Sequence, residues 1–218
     1  MVEPLTKMPE KPAQENPLKK YYRQPAIYIK LPTRGRHYDK ETFVPTENEE
    51  IAVFPMTAKD EMAFKTPDAL MNGQAMVDVM ESCVPNIKNA WKLVNHDLDI
   101  VLLAIRIATY GETMDMTGMI PGTTQEVSHT VNLPQLLDSV INVKVTDKFM
   151  TPSGFEVTVK PMTYKEITDT QLRAFENQKQ YANLAQRTDI EDSEKGKVFA
   201  ENFKKLTDMN FDVMRRSI

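Results

Sequence analysis

Few residues of this chain have the side-chain chemistry of a reactive site, and they lie far apart. His96-Asp97, with Asp99 two positions on, offers a base and an orienting acid. No serine or cysteine stands at a spacing that would complete the set, and nucleophilic catalysis needs all the roles within hydrogen-bond reach. Asp97 is expected instead to cap a helix over Leu98 to Tyr110 that Gly111 closes. Arg106 sits inside the apolar run Ile100 to Ala108. A lone buried charge is expensive, so a structural ion pair or a snorkelled rim position outweighs an anion site there. The single cysteine, Cys83, stands in an apolar helical stretch and reads as a buried, inert thiol. Met114, Met116 and Met119 with His129 carry soft donors, but one imidazole cannot hold zinc and the thioethers are expected to pack. The sequence therefore predicts no catalytic residue, no cofactor and no metal.

The bulk numbers narrow the classes further. Net charge is −4 with 27 basic and 31 acidic residues interspersed, so the one-sided basic field of a dedicated nucleic-acid binder is missing. Were such an interface present, Lys19, Lys20, Arg23, Arg34 and Arg36 would supply it. The 7 glycines fall into neither dinucleotide-binding nor P-loop spacing. The first residues are proline-rich and polar, which predicts no secretory leader, and a single thiol permits no disulfide framework within one chain. A reducing compartment is expected. The longest apolar run is too short to span a bilayer.

What must position these residues is marked by a phrase used twice. Val53-Phe54-Pro55-Met56-Thr57-Ala58-Lys59-Asp60 returns as Val159-Lys160-Pro161-Met162-Thr163-Tyr164-Lys165-Glu166. In each copy a proline ends a strand and a threonine opens a helix, with an acid three residues on to complete a capping box. Thr57 with Asp60, and Thr163 with Glu166, are the predicted caps. In the second copy Met162 and Ile167 stand where a hydrophobic staple would form. The copies lie too far apart for a solenoid period of roughly 20–50 residues and suit a duplicated half.

Residues 1–24 carry Pro4, Pro9, Pro12 and Pro17 among charged and amide side chains and read as a flexible arm. It is either a solvated tail or a segment that orders on a partner through Tyr21 and Tyr22. Residues 25–162 form an α+β core. Strand Ile27 to Leu31, the turn Pro32 to Arg36, strand Glu50 to Phe54 and a helix from Thr57 make the first unit. The helix ends or kinks at Pro67, a second follows over Gln74 to Val84, and a further piece holds Trp91, the only tryptophan. Residues 113–133 suggest a protruding β-ribbon, and a short helix starts near Pro134. Ile141 to Val145 and Phe155 to Val159 alternate as a hairpin around Thr151-Pro152-Ser153-Gly154. Residues 163–218 are expected to form an antiparallel helical hairpin. It has an acidic linker over Thr188 to Glu194 and a stripe of Phe199, Phe203, Leu206 and Val213.

Several of these blocks, in their order, resemble the baseplate hub and hub-assembly proteins of T-even-type contractile-tailed phages. They are Leu31-Pro32-Thr33-Arg34-Gly35-Arg36-His37-Tyr38, Pro55-Met56-Thr57-Ala58-Lys59-Asp60-Glu61, Asp97-Leu98-Asp99, Leu102 to Gly111, and Val131-Asn132-Leu133. The resemblance covers most of Ile27 to Lys165. It implies a non-enzymatic assembly or structural protein of a phage tail baseplate, made in the host cytoplasm, with other baseplate or hub proteins as partners and no membrane. Relatives in the family it resembles often carry a Cys-Pro-x-Cys pair in the ribbon, which would suit a zinc knuckle. Here the matching stretch is Ile120-Pro121-Gly122-Thr123, so metal binding does not carry over. Candidate partner contacts are Tyr21, Tyr22, Arg34, Arg36, Met114, Met116 and Met119. A nucleic-acid-associated regulatory protein is the alternative.

Overall fold

The computed structural model describes residues 22–143, 146–186 and 192–218. Strands β1 (Ile27–Ile29) and β2 (Ile51–Val53) pair antiparallel, with Ile27 opposite Val53 and Ile29 opposite Ile51. Ile29, Ile51 and Val53 are buried. Pro55 ends β-type pairing, and Thr57 caps α1 (Ala58–Phe64). Pro67 ends no helix from within: it is the first residue of α2 (Pro67–Met71), where its missing N–H is harmless.

Gly73 turns the chain into α3 (Gln74–Cys83), and a single 3₁₀ turn, Ala90–Lys92, leads to α4 (Asn95–Tyr110). These two helices are the spine of the core. Val77, Val79, Met80 and Cys83 of α3 and Ile100, Val101, Ala104 and Ile105 of α4 are buried together with the β1–β2 face. Gly111 closes α4 at φ 94°, a left-handed value that favours glycine, and its N–H reaches Ile107 O.

The predicted ribbon is present as β3 (Thr113–Met119) and β4 (Glu126–Asn132), seven residues each. Asn132 caps α5 (Leu133–Ile141), which buries Leu133 and Leu137 and packs on α4. The strand expected over Ile141 to Val145 is not formed. Ile141 is the last residue of α5 and packs against the core, and Asn142 follows as the helix cap, so helical burial overrides the local alternation. Residues 144–145 lie outside the described part. The third pair is the shorter β5 (Lys148–Met150) with β6 (Glu156–Thr158), joined by a turn with Gly154 at φ 83°.

Two long helices, α6 (Tyr164–Gln186) and α7 (Asp192–Arg216), follow. The Lys160 N–H donates to Ser217 O at 2.8 Å, which returns the end of α7 to the start of α6 and makes the hairpin antiparallel. Most of the acidic linker lies outside the described residues. The architecture is α+β: among the described residues, three two-stranded antiparallel sheets accompany a helical core and a C-terminal helical hairpin. Among the described residues no helix is long and apolar enough to cross a membrane.

Candidate functional site

Both copies of the repeated phrase make capping boxes. The Thr57 N–H and hydroxyl donate to Asp60 Oδ2 at 2.8 Å each, and the Asp60 N–H returns to Thr57 Oγ1 at 3.3 Å. Thr163 and Glu166 repeat the pattern at 2.9, 2.9 and 3.3 Å. The copies hold opposite ends of α4. The Met56 N–H donates to Thr109 Oγ1 near its last turn, while the Asn95 N–H at its first residue donates to Met162 O.

Asp60 does more than cap. Ser82 Oγ donates to it at 3.1 Å and the Arg23 guanidinium lies 3.7 Å away. Burial opposes its charge, but the bonds from Thr57 and Ser82 and the Arg23 charge win and hold its carboxyl below the ordinary range. For Glu166 the Thr163 N–H is the chief cause of a lowered pKa; burial works against it, and the Thr163 hydroxyl and the charges of Lys160 and Arg216 add to it.

Arg23, a residue the nucleic-acid alternative would need on the surface, is committed inside. Its Nε donates to Pro55 O at 2.8 Å, its Nη1 to Ser82 O at 2.8 Å, and its Nη2 reaches Pro55 O and Cys83 Sγ. Arg34, at φ 53°, pairs with Glu49 at 2.6 Å. Arg36 is exposed beside the cleft formed by Pro32, His37 and Asp147, about 470 Å³ in volume. Tyr22 is exposed; Tyr21, Lys19 and Lys20 lie outside the described residues. Among the described residues, Arg23 is thus held apart from Arg34 and Arg36, which both line that cleft.

His96 and Asp97 point to different surroundings. α4 begins at Asn95 after Val94, so Asp97 does not cap it as expected; it lies within the first turn and is fully buried. It accepts from the Thr33 N–H at 3.1 Å, the Thr33 hydroxyl and the Tyr38 hydroxyl at 2.6 Å. Tyr38 Oη in turn accepts from the Val94 N–H at 3.1 Å. Burial, and then the Asp97 charge, push the Tyr38 phenol far above its ordinary range. This network pins the turn after β1 to the start of α4. Nothing local in the sequence tied Tyr38 to an aspartate more than fifty positions away. His96 instead borders a shallow cleft with Asp99 and Val140.

Arg106 makes no ion pair among the described residues. Its guanidinium lies over the Tyr110 ring at 4.6 Å, so of the two readings, ion pair or snorkelled rim position, the ion pair is not the one formed. Cys83 is buried, and burial raises its thiol pKa, so it has the features of an inert thiol.

The ribbon is exposed along nearly its whole length. Side chains of opposed residues share a face and successive ones alternate. One face therefore carries the pairs Met114–Val131, Met116–His129 and Gly118–Val127. Met114 and Val131 pack on the core, whereas Met116 is 53% and Val127 45% exposed. The other face is polar: the Thr130 hydroxyl donates to Asp115 at 2.6 Å, and Thr117 and Ser128 hydroxyls bond at 3.4 Å. Met119 lies on that polar side, 69% exposed. The three methionines singled out by sequence thus separate into one core residue, one on the apolar face and one on the polar face. No cluster of three metal-ligating side chains occurs among the described residues.

A family model described as T4 bacteriophage base plate protein matches residues 36–214, well over half of the chain. Neither the comparison with characterised proteins nor that with solved structures gives a match.

Proposed function

The chain belongs to the T4 bacteriophage base plate protein family, and we propose that it works in the hub of the tail baseplate, or in building it, through protein–protein contacts and without catalysis. The observation that carries this reading is the amphipathic ribbon. Its apolar face starts in the core at Met114 and Val131 and continues outward to Met116 and Val127, which stay exposed among the described residues. An isolated two-stranded ribbon is marginal in water, and this one projects an apolar stripe that a partner surface would bury. Membership of a base plate protein family supports other baseplate proteins as that partner.

The buried acid supports the same reading from another side. Asp97, the best-placed candidate for acid–base chemistry, is enclosed by Thr33 and Tyr38, and its neighbour His96 does not join it. The deciding experiment is complementation of a phage lacking this chain. Met116→Asp and Val127→Asp should leave the circular dichroism spectrum unchanged and abolish baseplate formation, whereas Thr117→Asp on the polar face should be tolerated. Full complementation by both apolar-face variants would refute the proposal. Mass spectrometry of purified particles then separates the two roles: a fixed stoichiometry marks a virion subunit, and absence marks an assembly factor that leaves.

A further inference from the structure

The C-terminal hairpin has two unlike flanks. Along α7 the residues Phe199, Phe203, Leu206, Asn210 and Val213 recur at alternating spacings of four and three, the seam of a coiled coil. α6 answers this seam with small and amide side chains, Ala174, Asn177 and Gln178, and a groove of about 320 Å³ remains between them and Phe203 and Leu206. On the groove side, by helical spacing from Ala174 and Asn210, stand Phe175 and Met214, each at least half exposed. The far flank differs: Arg173, Glu176, Lys205, Asp208 and Asp212 line it with charges of both signs. One flank is thus finished for water and the other is not.

We propose that two copies of this chain associate through the apolar flank of α6 and α7, forming a two-fold symmetric four-helix bundle. The area is of the right size. Phe175, Phe199 and Phe203 are 50–65% exposed. At roughly 200 Å² for a whole aromatic side chain, they and the neighbouring Leu206 and Met214 offer on the order of 500 Å² per copy. Two copies then bury about 1,000 Å², about what a specific interface needs.

The chemistry is also self-complementary. In a two-fold interface one patch must satisfy itself, and amides can, because each carries donors and an acceptor. Asn177, Gln178 and Asn202 line the groove, and Asn210 occupies a seam position where a single asparagine fixes register and copy number. A foreign partner selected by charge would call for a single-sign rim. Here the charges are mixed, and they line the far side. The association does not depend on the role of the ribbon, which lies on other elements.

Analytical ultracentrifugation of the full chain tests it. The wild type should sediment at twice the 25.0 kDa chain mass at micromolar concentration. Phe203→Glu and Phe175→Glu should each weaken association by roughly 30-fold or more, as loss of a buried aromatic anchor does. Asp208→Lys on the charged flank should leave it intact. Should a glutamate variant fail to fold, Asn210→Cys decides in its place: it should cross-link to its symmetry mate on oxidation, and Cys83, being buried, should not. A monomeric wild type, a different copy number, or a dimer broken by Asp208→Lys but not by Phe203→Glu would overturn the proposal, whatever the result of complementation.

Discussion

Tyr38 donates its hydroxyl to Asp97 across 2.6 Å, and the two residues lie fifty-nine positions apart in the chain. The same carboxylate takes the N–H and hydroxyl of Thr33, so three buried donors depend on one acid. Asp97→Ala leaves all three without an acceptor, and an unmet buried donor costs about 1–3 kcal/mol. The expected loss of stability is about 3 kcal/mol or more, read from the urea midpoint.

The alkaline limb of stability should carry the mark of Tyr38. Its phenol is held protonated in the fold, by burial first and by the Asp97 charge second. A group that holds its proton more tightly when folded stabilises the fold below its unfolded pKa, near 10, and loses that contribution as pH rises beyond it. Tyr38→Phe should therefore be less stable than wild type at neutral pH and flatter above about pH 10.

The acid limb should depend on the two helix caps. Asp60 and Glu166 both have lowered pKa values in the fold. Their contributions are present above the unfolded carboxyl values of about 4 and fall away as pH drops through the lowered folded values. Asp60→Asn should reduce the steepness of acid unfolding, and adding Glu166→Gln should reduce it further. Urea midpoints taken down the acid range check both.

Arg23 ties the start of the described chain to α1 and α3. Arg23→Ala removes bonds to Pro55, Ser82 and Cys83 and the charge beside Asp60. Bonds from a charged donor are worth about 1.5–3 kcal/mol together with the carbonyls they leave unmet. The variant should be destabilised by about 2 kcal/mol, and its Cys83 should react faster with a thiol reagent. Equal labelling rates would show that Arg23 does not hold this junction.

What the sequence made legible was local. Thr57 with Asp60 and Thr163 with Glu166 are three residues apart, so the capping chemistry is written in one turn of chain. The ribbon was legible because its strands are consecutive. Asp97 was misread as a cap because Thr33 and Tyr38 lie too distant in sequence to betray the network. Ile141 to Val145 was misread because alternation there competes with packing of Ile141, the last residue of α5, against the core, which only the folded structure decides. The stripe on α7 was visible, but its exposure was not: the spacing of Phe199, Phe203 and Leu206 says that a face exists without saying what covers it.

The base of the helical hairpin depends on Gly73. Trp91 stacks on Tyr164 with ring centroids 5.4 Å apart, Tyr164 N–H donates to Leu93 O at 2.7 Å, and Lys165 Nζ lies 5.4 Å over the tryptophan ring. Gly73 faces this cluster at φ 81°, where a side chain is strained, and a Cβ there would meet Trp91 and the Tyr164 hydroxyl at 3.0 Å. Gly73→Ala therefore combines backbone strain of about 1 kcal/mol or more with displacement of the stack. The loss should exceed that of Tyr164→Phe, which keeps the ring and removes only the hydroxyl. Because Trp91 is the sole tryptophan, its emission reports the stack directly. Gly73→Ala and Tyr164→Ala should both shift it to the red under native conditions, whereas Tyr164→Phe should not. An unchanged spectrum in Tyr164→Ala would mean that the hairpin is not seated on Trp91.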